Sequence, residues 1–200
     1  GCFEIGPVDN TDDEGGTLDI YLKFVTSSSR RTVEATNNVV YDWQSSTHND
    51  VPSGTYDYPD QEISNTNVNQ GAMWIFQTMR DAWEYLNAFN DPGSATVEWP
   101  DDSGDGSFYQ VGEDVHIETV DEDVPDIVVH ELGHNYMWNI YGEWPIRDCT
   151  SPHYMNKVSG DHCAWTEGWA DFLPLAVYND SVFNWENSAM DIETPVGSWD

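Results

Sequence analysis

Basic residues are nearly missing from this chain. Lys and Arg together number 6, with Lys23 and Lys157 the only lysines, against 37 Asp and Glu, for a formal net charge of −31. Nucleic acid and anionic membranes are held by basic surfaces, so this balance argues against both as partners. It fits a salt-adapted protein, in which screening removes self-repulsion, or a secreted protein that collects divalent cations. Long apolar runs are missing too. Nothing reads as a membrane span or a signal peptide, so the chain reads as a mature protein or a piece of one. Cysteine is scarce, with Cys2, Cys149 and Cys163 the only three. A Cys149–Cys163 bridge would close a loop of about 15 residues and contribute roughly 3 kcal/mol, and it implies an oxidising, extracellular or cell-surface location. Two free thiols are the alternative. Cys2 is left over, for an external partner or a lipid.

Aromatic bulk, by contrast, is plentiful: 10 Trp, 10 Tyr and 7 Phe in 200 residues supply a core for one ordinary domain or a piece of a larger one. Residues 1–16, rich in Gly, Asp and Thr, read as a linker or leading arm, and residues 17–200 as the folded domain. Leu18, Ile20, Leu22 and Phe24 alternate with polar neighbours and predict one half-buried strand. Residues 32–36 and 39–43 predict a hairpin about Asn37-Asn38. A helix of about 20 residues follows, capped by Asn69, with Ala72, Met73, Phe76, Met79, Trp83, Leu86 and Phe89 on one stripe. Residues 95–99 and 111–120 predict two further strands. Between them residues 101–107 carry oxygens at alternate positions and a Gly at the sixth, like the start of a calcium loop, although Gly112 stands where an EF-hand needs its last Glu. Ca2+ binding there and a plain acidic turn both stay open.

The chemistry concentrates in His130-Glu131-Leu132-Gly133-His134, an H-E-x-x-H pattern. Residues four apart on an α-helix project about 40° apart and about 6 Å along the axis. His130 and His134 can therefore reach one ion, with Glu131 placed to act on a water beside it. Asp123 is the expected cap of this helix, Pro125 lies in its first turn, and Gly142 ends it. Zn2+ in a catalytic site has three protein ligands and an open position. Glu167 is the best third candidate. Thr166 reads as the cap of its helix, which runs to about residue 179, and Asp171 shares its face and can accept a hydrogen bond from a ligand histidine. His153, Asp161 and His162 lie in the segment before it, and each is a rival for the third position.

H-E-x-x-H followed on a second helix by Glu167-x-x-x-Asp171 resembles the gluzincins, the thermolysin-like clan of zinc metallopeptidases. The resemblance spans roughly residues 69–179. A metzincin reading fails because Met137 and Ile140 stand where it needs Gly and His. The resemblance implies an α+β, zincin-like fold: a mixed β-sheet N-terminal lobe packed on a long helix and the motif helix, followed by the start of a helical C-terminal lobe. It implies His130, His134 and Glu167 as Zn2+ ligands, Glu131 as catalytic base and Asp171 as their support. It also implies a secreted endopeptidase acting on a peptide or protein substrate, which would pair with the strand at 111–120. A donor to the oxyanion is then required, and Tyr154, His153 and His162 are the candidates. Clan members continue with more helices, so the resemblance implies a chain truncated at its C-terminus. The rival class is a non-catalytic cell-surface structural or adhesive module that keeps the fold without turnover. A different zinc hydrolase on the same ligands is a third reading.

Overall fold

The structure, a computed structural model, describes residues 5–6, 17–52, 54–64, 66–142, 149, 158–185 and 188–193. Most of the expected arm at 1–16, with Cys2, lies outside them, as do His153 and Tyr154.

The core is built on a four-stranded sheet, β3 (Arg31–Glu34), β6 (Ala95–Glu98), β8 (Val115–His116) and β7 (Phe108–Tyr109), in the order β3-β6-β8-β7. The first three strands run parallel and β7 is antiparallel to β8 at the edge. Register sorts the side chains by period two. Val33, Val97 and Val115 lie side by side on the inner face and are fully buried. Glu34, Glu98, His116 and Phe108 form the matching row on the outer face. Helix α1 (Gln70–Asn87) carries the chain from β3 toward β6 and buries Ala72, Ile75, Met79, Ala82 and Leu86 against the inner face. Helix α2 (Pro125–Tyr141) adds Val128, Val129, Leu132 and Tyr136, and α3 (Asp161–Tyr178) adds Leu173. The molecule is therefore α+β, as expected.

Several local expectations are corrected. The strand expected from residue 18 is two short ones, β1 (Leu18–Ile20) and β2 (Lys23–Val25), which pair with β5 (His48–Val51) and β4 (Asp42–Gln44). The reversal at Asn37-Asn38 exists, with Asn38 at φ 64° and a Glu34–Val40 bridge, but β4 goes to β2 and not back to β3. The strand expected at 111–120 is only β8. Gly112 at φ 78° turns the chain before it, and the 3-10 helix Thr119–Asp121 follows it. Asn69 precedes α1 but its amide donates to the Asp42 carbonyl at 2.7 Å and makes no cap. Asp123 does not cap α2; Val124 holds that position. Thr166 is no cap either, since α3 begins at Asp161 and the Thr166 hydroxyl donates back to the His162 carbonyl at 2.9 Å. Beyond α3 the described chain continues as a hairpin, β9 (Val182–Trp185) with β10 (Ser188–Asp191), where helices were expected.

Candidate metal centre

Helix α2 is buried on nearly all sides through the motif. Glu131, Leu132, Gly133, His134, Asn135, Tyr136 and Met137 are all buried, between the sheet and α1 on one side and α3 on the other. Gly133 sets how near α3 comes. A Cβ built there would stand 3.3 Å from the Ala170 Cα, so a side chain at this crossing would push the two backbones apart by a few tenths of an ångström. Ala170 lies three residues past Glu167, and the crossing aims Glu167 at the two imidazoles.

The distances form a near-equilateral triangle. His130 Nε2 and His134 Nε2 are 3.2 Å apart, and Glu167 Oε2 is 3.5 Å from each. Three donors about 2.05 Å from a tetrahedral centre stand about 3.3 Å from one another. Two imidazole nitrogens and a carboxylate oxygen at these separations suit zinc in identity as well as spacing. The second nitrogen of His130, Nδ1, lies 2.9 Å from Asp171 Oδ1. Glu131 Oε1 stands 3.8 Å from His130 Nε2, beside the triangle and outside it. Of the residues expected for the site, His130, His134, Glu167, Asp171 and Glu131 are thus brought together. His162 is exposed in the first turn of α3, and the triangle is made without it or Asp161.

The field at this point favours positive charge. Burial works against a charged His130, but hydrogen bonds with Asp171 and then Glu167 outweigh it and lift its pKa well above the ordinary value. Burial would also raise the Glu167 carboxyl, yet the two histidines overcompensate and hold it well below the usual carboxylate range. Glu131 moves the other way. Burial raises its pKa, the histidines offset this only in part, Glu167 adds repulsion, and the Tyr109 main chain gives it one hydrogen bond. Tyr109 belongs to the edge strand β7, which puts that edge beside Glu131.

Two features of the surroundings escaped the sequence reading. Phe183 of β9 is buried and packs edge-on to the His130 ring, with centroids 6.1 Å apart. Its hairpin is tied to α2 by the buried Asp126, whose Oδ2 accepts from Asn184 N at 2.7 Å and Nδ2 at 2.8 Å. The Cys149–Cys163 disulfide is formed, and Cys149 Sγ lies 3.8 Å from Glu167 Oε1, so the bridge braces the turn of α3 just before that residue. In the loop 101–107, Asp102 takes Thr119 N and Oγ1 at 2.9 Å each, and Glu118 Oε1 accepts from Gly106 N. The loop is therefore sewn to the start of the 3-10 helix.

A family model described as the Mycolysin C-terminal domain matches residues 76–199. That span runs from within α1 through α2, α3 and the β9–β10 hairpin, and so contains every residue of the triangle. No curated protein and no solved structure matches the chain.

Proposed function

The chain belongs to the mycolysin C-terminal domain family, and from that premise we propose that it is a zinc-dependent endopeptidase with a zincin-like core, acting outside the cell or at its surface. The family is a domain of thermolysin-like peptidases, which gives the chain a protease context. The observation that carries the reading is the triangle of His130 Nε2, His134 Nε2 and Glu167 Oε2, with sides of 3.2 to 3.5 Å. A zinc ion held there supplies a Lewis acid that polarises a carbonyl and makes water acidic.

The chain's own residues do the rest. Asp171 fixes the His130 ring through Nδ1, leaving Nε2 for the metal. Glu131, buried beside the triangle, accepts the proton from the attacking water and returns it to the leaving amine. An extended substrate adds a strand alongside the edge strand β7, whose Tyr109 main chain meets Glu131, so backbone pairing delivers the scissile carbonyl to the base. The formed disulfide supports the extracellular placement. A non-catalytic module explains Glu131 poorly. A structural zinc site uses four protein donors, whereas three converge here among the described residues, with the buried Glu131 carboxylate standing beside them.

The test is Glu131→Gln, which keeps volume and removes the base. Hydrolysis of casein or a quenched peptide at suitable salt is expected to fall by about a hundredfold or more, with zinc content unchanged. Hydrolysis at the wild-type rate in this variant overturns the mechanism.

A further inference from the structure

The outer face of the central sheet carries a second set of metal-type donors. Glu98 at the end of β6 and His116 on β8 are register partners and project to the same side. Asp101 is drawn onto β8 by its backbone, whose N–H donates to the Ile117 carbonyl at 2.9 Å. Its Oδ2 then stands 2.9 Å from His116 Nδ1, and Glu98 Oε2 stands 3.3 Å from the same nitrogen. The three side chains are mostly covered, at 13%, 18% and 18% exposure. Phe108, the partner of His116 on β7, stacks on the imidazole with centroids 4.5 Å apart and fixes its plane.

This geometry is poorly served by a proton alone. Nδ1 carries at most one hydrogen, and two carboxylate oxygens from different segments face it. Charge deepens the mismatch. Glu34 is the register partner of Glu98 on the other side, and burial raises its carboxyl, with repulsion from Asp114 and Glu98 adding to the shift. Two carboxylates thus meet one imidazole, and Glu34 stands beside Glu98 on the same face of the sheet. A divalent ion bonds the nitrogen and both oxygens at once and cancels two of the charges.

We infer that Glu98, Asp101 and His116 form a second divalent-cation site, distinct from the triangle on α2 and α3. An imidazole nitrogen among carboxylates selects a first-row ion such as zinc over calcium, which takes six to eight oxygens. Asp101, the first residue of the loop 101–107, serves both the loop, where its Oδ1 accepts from Ser103 N at 3.2 Å, and the two strands, where its Oδ2 faces His116. The ion braces the edge strand. β7 hangs on β8 through two residue pairs only, one of them Phe108 with His116, and β7 is the strand beside Glu131. Pinning His116 to β6 holds that edge in place.

The full chain, stripped with a chelator and loaded with zinc in high salt to screen its diffuse acidic surface, is expected to retain two equivalents. His116→Gln and the pair Glu98→Gln/Asp101→Asn are each expected to retain one, with the metal-free circular dichroism spectrum unchanged. The carboxylate pair carries the test if His116→Gln does not fold. His134→Gln is expected to lose the other equivalent. Two equivalents in either outer-face variant, or one in the wild type that only His134→Gln abolishes, overturns this inference and leaves the reading of the α2–α3 triangle standing.

Discussion

His130 presents its two ring nitrogens to different partners, one toward the triangle and one 2.9 Å from Asp171 Oδ1. That division makes Asp171 the residue that keeps the ring in one tautomer. Asp171→Asn is expected to weaken zinc binding by roughly 10- to 100-fold, measured by chelator competition, while the fold is retained. This part of the site was legible in the sequence because each piece is local. His130 and His134 are one helical turn apart, and so are Glu167 and Asp171, so each pair declares a shared face. Glu98, Asp101 and His116 were not legible. They come from two strands and a loop, and their meeting depends on a strand register that no local spacing encodes. Phe183 and Asn184 were missed for the same reason, because their contacts to His130 and Asp126 cross more than 50 residues of chain.

The helices were legible as elements and their starts were not. α1 and α2 show continuous apolar spacing, whereas the first turn of α3, Asp161-His162-Cys163, reads as loop because it is polar, although its Cys163 is bridged to Cys149. Polar-residue caps misled at all three helices: Asn69 is engaged in a tertiary hydrogen bond, Asp123 stands one residue before the Val124 that precedes α2, and Thr166 lies inside its helix. Glycines make packing at this scale testable. Gly168 lies in α3 with nothing near a built Cβ. Gly168→Ala is expected to stabilise the protein by about 0.5–1 kcal/mol through helix propensity. At Gly71 a Cβ would stand 2.4 Å from both the Glu122 carboxylate and the Trp99 ring, so Gly71→Ala is expected to destabilise despite the same propensity gain. Denaturant midpoints that move in the same direction for the two variants would contradict the packing described at the N-terminus of α1.

At the scale of the molecule, charge dominates. With 37 acidic side chains against 6 basic ones, self-repulsion opposes the compact state, and the thermal midpoint is expected to rise with sodium chloride until the Debye length falls to about 3 Å near 1 M. A midpoint that falls with salt would mean that attractive ion pairs, such as Lys23–Asp42 and Arg30–Asp91, outweigh the repulsion. The helices around the motif followed from periodicity, and the α+β class from the family resemblance. The hairpin after α3 did not, since four residues of weak alternation cannot announce a pairing partner. The claim on which the account stands is that α2 and α3 meet to hold one ion, and X-ray absorption at the zinc edge on the loaded His116→Gln protein, where only that ion remains, addresses it most directly. The account predicts two imidazole nitrogens and a carboxylate oxygen at about 2.0–2.2 Å, with the oxygen ligand altered in Glu167→Gln. A zinc environment unchanged by that substitution, or one without imidazole, would contradict it.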